Sequence, residues 1–388
     1  MPGRANDLLV EIGKVQLNKT GEELCGDSIE VTQTRDSTIV VLSDGLGSGV
    51  KANILSSLTT KIASTMLKGG SNIDDVVSTL AATLPVCKVR HLAYSTFSIL
   101  QVFKDGRAYL AEYDNPEVFA GGREGTRCLE YVERQVGERT IRESYFTLQD
   151  GDWLCMVSDG VLHAGIGGIW NLGWGWERVG AFVHQVARQE LPAQEFAGEI
   201  ANLCSKLYGG KAGDDASVIV VKTRVPRQVT LLIGPPRDPA DDPRVVARLC
   251  RPAGKKVVCG GTTGNIVARI LGKKIEVDLG SSDEDVPPVG VIEGIDLVTE
   301  GMLTLVRTLG NLREQVPLSR LYFNTDGASK LTVMLLKADR VHFIVGRAIN
   351  PAHQSPGVPP LLALKPQIVD DMVKQLRRLG KKVTVESY

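Results

Sequence analysis

The apolar segments of this chain follow one another in two different orders. In the first part, strand-like segments come in pairs, and the clearest pair, over 97–113, turns at Lys104-Asp105-Gly106. Segments with helical spacing lie apart from them, at 48–70, 72–84, 175–189 and 193–208. Strands grouped with strands and helices with helices predict an α+β fold made of stacked layers.

The order changes after 222–228, where a proline flanked by arginines predicts a linker. Beyond it, short β-branched runs that mostly end in glycine alternate with helical segments, which is typical of an α/β domain with a mainly parallel sheet. A chain of 388 residues also exceeds what one hydrophobic core usually serves. We therefore predict two domains, over 1–226 and 229–388.

Composition argues against several classes of partner. Lysine plus arginine and aspartate plus glutamate number 45 each, so no net positive field attracts nucleic acid. No run of about 18 apolar residues and no basic, apolar leader is found, so we expect no membrane partner and a cytoplasmic location. Seven scattered cysteines without a CxxC pair indicate free thiols rather than disulfides or a zinc site.

Aspartates stand beside glycine at four strand ends or turns of the first domain. Asp44 and Asp159 share the tripeptide Ser-Asp-Gly directly after an apolar strand, and the other two positions are Asp27 and the pair Asp214-Asp215. Each one alone is most simply a turn. Strand ends that converge would bring carboxylates together, and these repel one another unless cations neutralise them. Oxygen ligands in that number favour Mg²⁺ or Mn²⁺.

Four motifs carry a family resemblance: GDS at 26–28, SDGLGSG at 43–49, SDG at 158–160 and GDDAS at 213–217. Together they resemble the metal-dependent protein serine/threonine phosphatases of type 2C and, more narrowly, the bacterial SpoIIE-like branch. The resemblance covers about residues 5–225. It implies a four-layer αββα sandwich and the hydrolysis of a phosphomonoester by a water that bridges two Mn²⁺ or Mg²⁺ ions.

The resemblance also implies roles for single residues. Asp44 would bridge both metals, and the carbonyl of Gly45 would help to hold the second one. Asp159 and Asp214 would complete the first metal site, so Asp44, Asp159 and Asp214 form the expected catalytic set. Asp27 would reach the second metal through water. Asp215 also belongs to the expected metal set, although it stands where the family often has asparagine and is implied to lie further out.

Two features of the first domain leave the source of the leaving-group proton open. Some family members carry a general-acid histidine after the first Asp-Gly, and this chain has Leu46 there. His163, four residues after Asp159, either serves proton transfer at the edge of the metal site or packs locally. No arginine of the chain matches a phosphate-binding position of the family.

The second domain contains a glycine-rich turn between a strand and a helix, within 257–272. The free N–H groups of such a turn can hold an anion, although the motif is neither a Walker nor a dinucleotide motif. The contacts would be Gly260, Gly261, Thr262 and Thr263, and the alternative is a structural turn capped by threonine.

The whole sequence predicts a metal-dependent phosphatase of a phosphorylated protein, with a second domain for sensing or docking and a small anion as its candidate ligand. Two alternatives stay open: a phosphatase of a small phosphoester, and a signalling scaffold that binds metal without turnover. The four intact acidic motifs favour an enzyme.

Overall fold

A computed structural model describes residues 7–83, 95–136, 139–168, 170–278, 289–348 and 365–388. The chain divides into two compact units, Met1–Val225 and Pro226–Tyr388. Each unit has hydrophobic cores of its own. None of the described helices combines the length and the apolar character that a membrane crossing requires.

The first unit contains two antiparallel sheets and five helices among its described residues. Its strands are β1 (Leu9–Leu17), β2 (Asp27–Gln33), β3 (Ser37–Asp44), β4 (Phe97–Phe103), β5 (Arg107–Tyr113), β6 (Phe119–Gly122), β7 (Gly125–Arg127), β8 (Val132–Val136), β9 (Arg139–Thr147), β10 (Trp153–Val157) and β11 (Ala216–Arg224). Its helices are α1 (Gly49–Lys68), α2 (Ile73–Thr83), α3 (Asp159–Leu162), α4 (Trp176–Ala187) and α5 (Ala193–Leu207). The sheet orders are β2-β3-β4-β5-β9-β8 and β1-β11-β10-β6-β7.

Four layers result from the alternation of apolar residues along the strands. On β3, Val40 and Leu42 join the core between the two sheets, whereas Ile39 and Val41 pack against α1 and α2. Residues of β10 alternate in the same way between the central core and helices α4 and α5. The predicted αββα sandwich is therefore confirmed.

The second unit is built on one seven-stranded sheet of order β14-β15-β16-β13-β12-β17-β18. Its strands are β12 (Gln228–Ile233), β13 (Lys255–Cys259), β14 (Glu276–Asp278), β15 (Val289–Ile292), β16 (Ile295–Thr299), β17 (Arg340–Val345) and β18 (Lys382–Ser387). Its helices are α6 (Asp242–Cys250), α7 (Gly261–Leu271), α8 (Met302–Arg313), α9 (Leu318–Phe323), α10 (Gly327–Lys337) and α11 (Lys365–Arg378). Strands β12, β13, β16, β17 and β18 pair in parallel, which confirms the predicted mainly parallel sheet.

The chain winds this sheet in two directions from β12. It runs outward through β13 to β16 and then returns to β17 and β18 on the other side of β12. Helices α6 and α7 cover one face, and α8, α10 and α11 cover the opposite face. This arrangement is the doubly wound three-layer fold, in which helices follow the carboxyl ends of parallel strands.

Candidate metal centre

Two acidic residues of the six-stranded sheet face each other at its end. Asp27 is the first residue of β2, Asp44 is the last residue of β3, and the two are paired in the antiparallel register. β3 is buried along its length up to Ser43, so the position of Asp44 is fixed by the core behind it. The Asp27 residue itself is only 2% exposed.

The five-stranded sheet contributes a second acidic pair. Asp159 begins α3 directly after β10, and Asp214 lies two residues before β11. The end of β10 and the start of β11 are neighbours, since Ser158 N–H donates to Ser217 O at 3.0 Å and Ser217 N–H to Ser158 Oγ at 2.8 Å. Side-chain ligand atoms of Asp159, Asp214 and the nearby His163 all lie within 4.8 Å of one another.

A glutamine joins the two pairs. Gln16 on β1 donates from Nε2 to the carbonyl of Asp27 at 3.2 Å and to the hydroxyl of Ser217 at 3.1 Å. The start of β2 is thereby held against the start of β11, although the two belong to different sheets. We call the group formed by Asp27, Asp44, Asp159 and Asp214 the acidic centre.

The carboxylates of the acidic centre act on one another. Burial first, and then the charges of Asp27, Asp159 and Asp214, raise the pKa of Asp44 to about 9. Burial is also the main cause that raises the pKa of Asp27 to about 6, although nearby Ser158 and Ser217 offset part of the increase. The pKa of Asp214 is raised by burial and by Asp159. In the absence of a cation the centre therefore retains protons at neutral pH.

The donor set fits a hard divalent cation. Both carboxylate oxygens of Asp27 are buried and have no hydrogen-bond partner among the described residues. A buried carboxylate without a partner is costly, and a cation supplies the missing interaction. The four members of the centre offer only oxygen ligands, which suit Mg²⁺ and Mn²⁺.

Both Asp-Gly turns need glycine because two backbones approach each other closely. A Cβ on Gly45 would lie 2.0 Å from the carbonyl oxygen of Ala52 in α1, and a Cβ on Gly160 would lie 2.0 Å from that of Asp215. Helix α1 can therefore pack directly behind Asp44. In addition to the expected role of the Gly45 carbonyl, the structure thus gives a packing reason for this glycine.

Asp215 is oriented by the backbone. Its Oδ1 accepts a hydrogen bond from Lys19 N–H at 2.9 Å, and its own N–H donates to Asp214 Oδ1 at 3.1 Å. These bonds tie the 213–217 turn to the segment between β1 and β2. Asp215 thus connects Asp214 to Lys19 through backbone N–H groups.

Three polar residues near the centre, Gln16, Thr96 and Asn115, were not found from the sequence. Besides Gln16, Thr96 accepts a hydrogen bond from Asp44 N–H at 3.3 Å and donates to Asn115 Oδ1 at 2.5 Å. His163, weighed in the sequence between proton transfer and local packing, lies with its Nδ1 3.8 Å from Asp159 Oδ2. Its i,i+4 spacing from Asp159 is the sequence signal that predicts closeness of the two side chains.

The predicted anion-binding turn of the second unit lies at the start of α7. Gly260 precedes the helix, Gly261 and Thr262 are exposed, and Thr263 is buried. The turn follows the carboxyl end of β13, as the sequence indicates.

Residues 34–224, just under half of the chain, match the model of the family named Stage II sporulation protein E (SpoIIE). The first unit contains a SpoIIE-family domain. The matched residues of this SpoIIE domain include Asp44, Asp159 and Asp214, whereas Asp27 precedes them. The resemblance inferred from the four sequence motifs is confirmed.

Solved structures similar to the chain include phosphatase domains. One is the PP2C phosphatase domain with a fragment of the regulatory domain of SpoIIE from Bacillus subtilis, with 20% identity over 56% of this chain and 64% of that one, at a TM-score of 0.48. Another comprises the RsbU and RsbW domains of a Mycobacterium tuberculosis protein, with 15% identity over 62% and 67% of the two chains and a TM-score of 0.48. RsbX in complex with magnesium shares 17% identity over 55% and 95%, at 0.40. No curated protein sequence matches this chain.

Proposed function

We propose that the SpoIIE domain is a metal-dependent phosphatase that removes phosphate from serine or threonine of a phosphorylated protein. Two Mn²⁺ or Mg²⁺ ions would be held by the acidic centre. The observation that supports this most strongly is the meeting of carboxylates from two sheets around Asp27, whose buried oxygens lack a partner among the described residues. We further propose that the second unit, 226–388, serves sensing or docking.

Each acidic residue has a distinct part in this proposal. Asp44 interacts with the other three carboxylates, so we assign it the central, shared position. Asp159 and Asp214 would hold one cation together, and Asp27 would face the other. When bound, the cations supply a Lewis acid that activates water and neutralises charge on the phosphoryl oxygens. The chain itself fixes the carboxylates beforehand, through Gln16, Thr96 and the Gly45 turn.

His163 is the side chain to which we assign proton transfer with the leaving alkoxide. It is exposed, lies beside Asp159 and follows the first turn of α3, so it can reach both solvent and a bound substrate. In the loop that follows, Ile166 and Leu172 are 55% and 88% exposed. That loop returns to α3, since Gly175 N–H donates to Leu162 O at 2.9 Å. Exposed apolar side chains in the loop that follows α3 favour a protein substrate over a small phosphoester.

The test is hydrolysis of p-nitrophenyl phosphate and of a phosphoserine peptide, with Mn²⁺ and with EDTA. Asp44→Asn should lower Mn²⁺-dependent turnover at least about 100-fold, since even residues that only support metal ligands cost 10–100-fold when they are changed. Asp105→Asn is the matched control, because Asp105 also precedes a glycine in a turn but is partly exposed and pairs with Arg107.

Four outcomes would count against the proposal. Turnover that persists in EDTA would show that the reaction does not need a metal. Turnover that survives Asp44→Asn would show that the acidic centre is not the catalytic site. Faster hydrolysis of free phosphoserine than of the peptide would support the small-phosphoester alternative. Absence of turnover together with intact Mn²⁺ binding would support the scaffold.

A further inference from the structure

Two neighbouring strands of the second unit end in the same way. β13 and β16 are parallel partners, and each is followed by a glycine and a helix, Gly260 before α7 and Gly301 before α8. Both glycines have positive φ angles, 120° and 133°. A Cβ on Gly301 would lie 3.2 Å from the Cα of Gly260, so the two turns are in contact. Their backbones are also joined, because Gly260 N–H donates to Thr299 O at 2.9 Å.

Neither helix has a side-chain cap at its N-terminus. The first N–H groups of a helix have no acceptor within the helix, and the helix dipole places partial positive charge there. In α7 the residues that carry these groups, Gly261 and Thr262, are exposed. Because the two helix ends lie side by side, a ligand between them could accept hydrogen bonds from both helices and would experience the positive potential of both.

Three buried threonine hydroxyls surround the two turns without a hydrogen-bond partner among the described residues. Thr263 and Thr304 are each the third residue of their helix and are 1% exposed, and Thr299 ends β16 and is 4% exposed. The oxygen of Thr263 lies 3.1 Å from the point that a Cβ on Gly260 would occupy, so it is directed toward the glycine turn. Buried hydroxyls are normally satisfied, and three together indicate a missing partner.

We propose that the turns Gly260–Thr263 and Thr299–Thr304 form a binding site for the phosphate group of a small molecule. A phosphate has enough oxygens to accept from the N–H groups of both helices and from threonine hydroxyls at once, whereas a carboxylate has two. Glu300, exposed between Thr299 and Gly301, is the one charge within these turns that opposes an anion. The site belongs to the second unit alone and does not depend on the function proposed for the acidic centre.

Titration calorimetry of the full chain with pyrophosphate, in EDTA and at constant ionic strength, tests the site. Saturable binding is expected, and Thr263→Val and Thr304→Val should each weaken it at least about 5-fold, the equivalent of one hydrogen bond. Glu300→Gln should tighten binding. Asp44→Asn should leave it unchanged, which separates this site from the acidic centre. Inorganic phosphate and adenosine monophosphate as further probes distinguish free phosphate from a nucleotide.

Thr332→Val is the matched control, because Thr332 is equally buried but donates to Ala328 O at 2.7 Å. It should lower the urea midpoint of unfolding and leave pyrophosphate binding intact, whereas Thr263→Val and Thr304→Val should keep the midpoint. No binding of pyrophosphate over the millimolar range would overturn the proposal. Equal binding by both valine variants, or equal binding of acetate, would show an adventitious ion only.

Discussion

Asp27 and Asp44 stand directly opposite each other on β2 and β3, the first residue of one strand facing the last residue of the other. The antiparallel register fixes the two backbones opposite each other and directs both side chains to the same face of the sheet, so the carboxylates stay neighbours as long as the sheet is intact. Their repulsion is therefore built into the folded chain and is relieved only by protons or cations.

Stability of the metal-free protein should fall as the pH rises. The pKa values of Asp27 and Asp44 are raised to about 6 and about 9 from the ordinary value of 3.8. Between pH 4 and 9 the folded chain therefore holds more protons than the unfolded chain, and its free energy of unfolding decreases with pH. With one to two extra protons on the folded chain and about 1.4 kcal/mol per proton and pH unit, we expect a loss of about 5 kcal/mol between pH 5 and 8 in EDTA, measured by urea unfolding.

For Asp44→Asn, the free energy of unfolding measured in the same way should depend less steeply on pH than that of the wild type. At pH 8 in EDTA this variant should be more stable than the wild type, because a neutral amide removes the repulsion. Mn²⁺ affinity of the wild type should rise with pH, since the ligands must lose their protons. An unfolding free energy that is independent of pH in both proteins would contradict this account.

Alanine at either Asp-Gly turn should destabilise the SpoIIE domain. Gly45→Ala and Gly160→Ala place a Cβ 2.0 Å from a backbone carbonyl that belongs to a packed element, and we expect each to cost about 2–3 kcal/mol. Gly198→Ala in α5 is the control, since its Cβ would meet nothing within 4 Å and a helix gains about 0.5–1 kcal/mol from alanine. Urea unfolding followed by circular dichroism compares the three. Equal unfolding midpoints for the three glycine variants would show that the backbones at Gly45 and Gly160 are not as close to their neighbours as described.

Gln16→Leu should weaken Mn²⁺ binding about 10-fold while the fold is kept, because it removes the two bonds that hold β2 against β11. Gln194→Leu removes a comparable pair of bonds, to the backbone of Lys14, outside the acidic centre. Calorimetric Mn²⁺ titrations of both variants separate the effects. Equal Mn²⁺ affinities of the two variants would show that Gln16 does not position the metal ligands.

Cys25 should resist alkylation although it lies two residues from Asp27. Burial, and then the charges of Asp27 and Asp215, raise the pKa of its thiol to about 12, so almost no thiolate is present at pH 7.5. Of the cysteines within the described residues, Cys128 is the exposed one, and it should react before Cys25 with iodoacetamide. Peptide mass spectrometry after timed labelling gives the order, and rapid labelling of Cys25 in the folded protein would contradict the burial.

Sequence reasoning predicted the layered fold because the central strands are strongly apolar. β3 and β10 are buried almost throughout, and the 104–106 turn specifies its hairpin by itself. In the first unit it missed β2, β6, β7, β8 and β9, whose residues are largely polar or few and become strands only because a neighbour supplies hydrogen bonds. It likewise did not single out α10, which depends on the Asp326 carboxylate accepting from Ala328 and Ser329 N–H groups at 2.9 Å.

The surroundings of the acidic residues were harder to predict than the residues themselves. Aspartate beside glycine is visible in the sequence, but the bond from Gln16 to Ser217 joins positions 201 residues apart. Nothing local to Gln16 distinguishes it from Gln194. In the second unit, Thr263 was visible in a glycine-rich turn, whereas Thr299 and Thr304 join it only because β13 and β16 are adjacent.

The pairing of β1 with β11 runs from Leu9–Arg224 to Leu17–Ala216 and joins the beginning of the SpoIIE domain to its end. During translation, Asp27 and Asp44 are synthesised long before Asp214. Strand β1 can pair fully with β11 only after residue 224 has left the ribosomal exit tunnel. An unfinished chain therefore cannot close the five-stranded sheet or assemble the four carboxylates. The four carboxylates therefore come together only in the completed domain, and a stalled or truncated chain lacks the acidic centre.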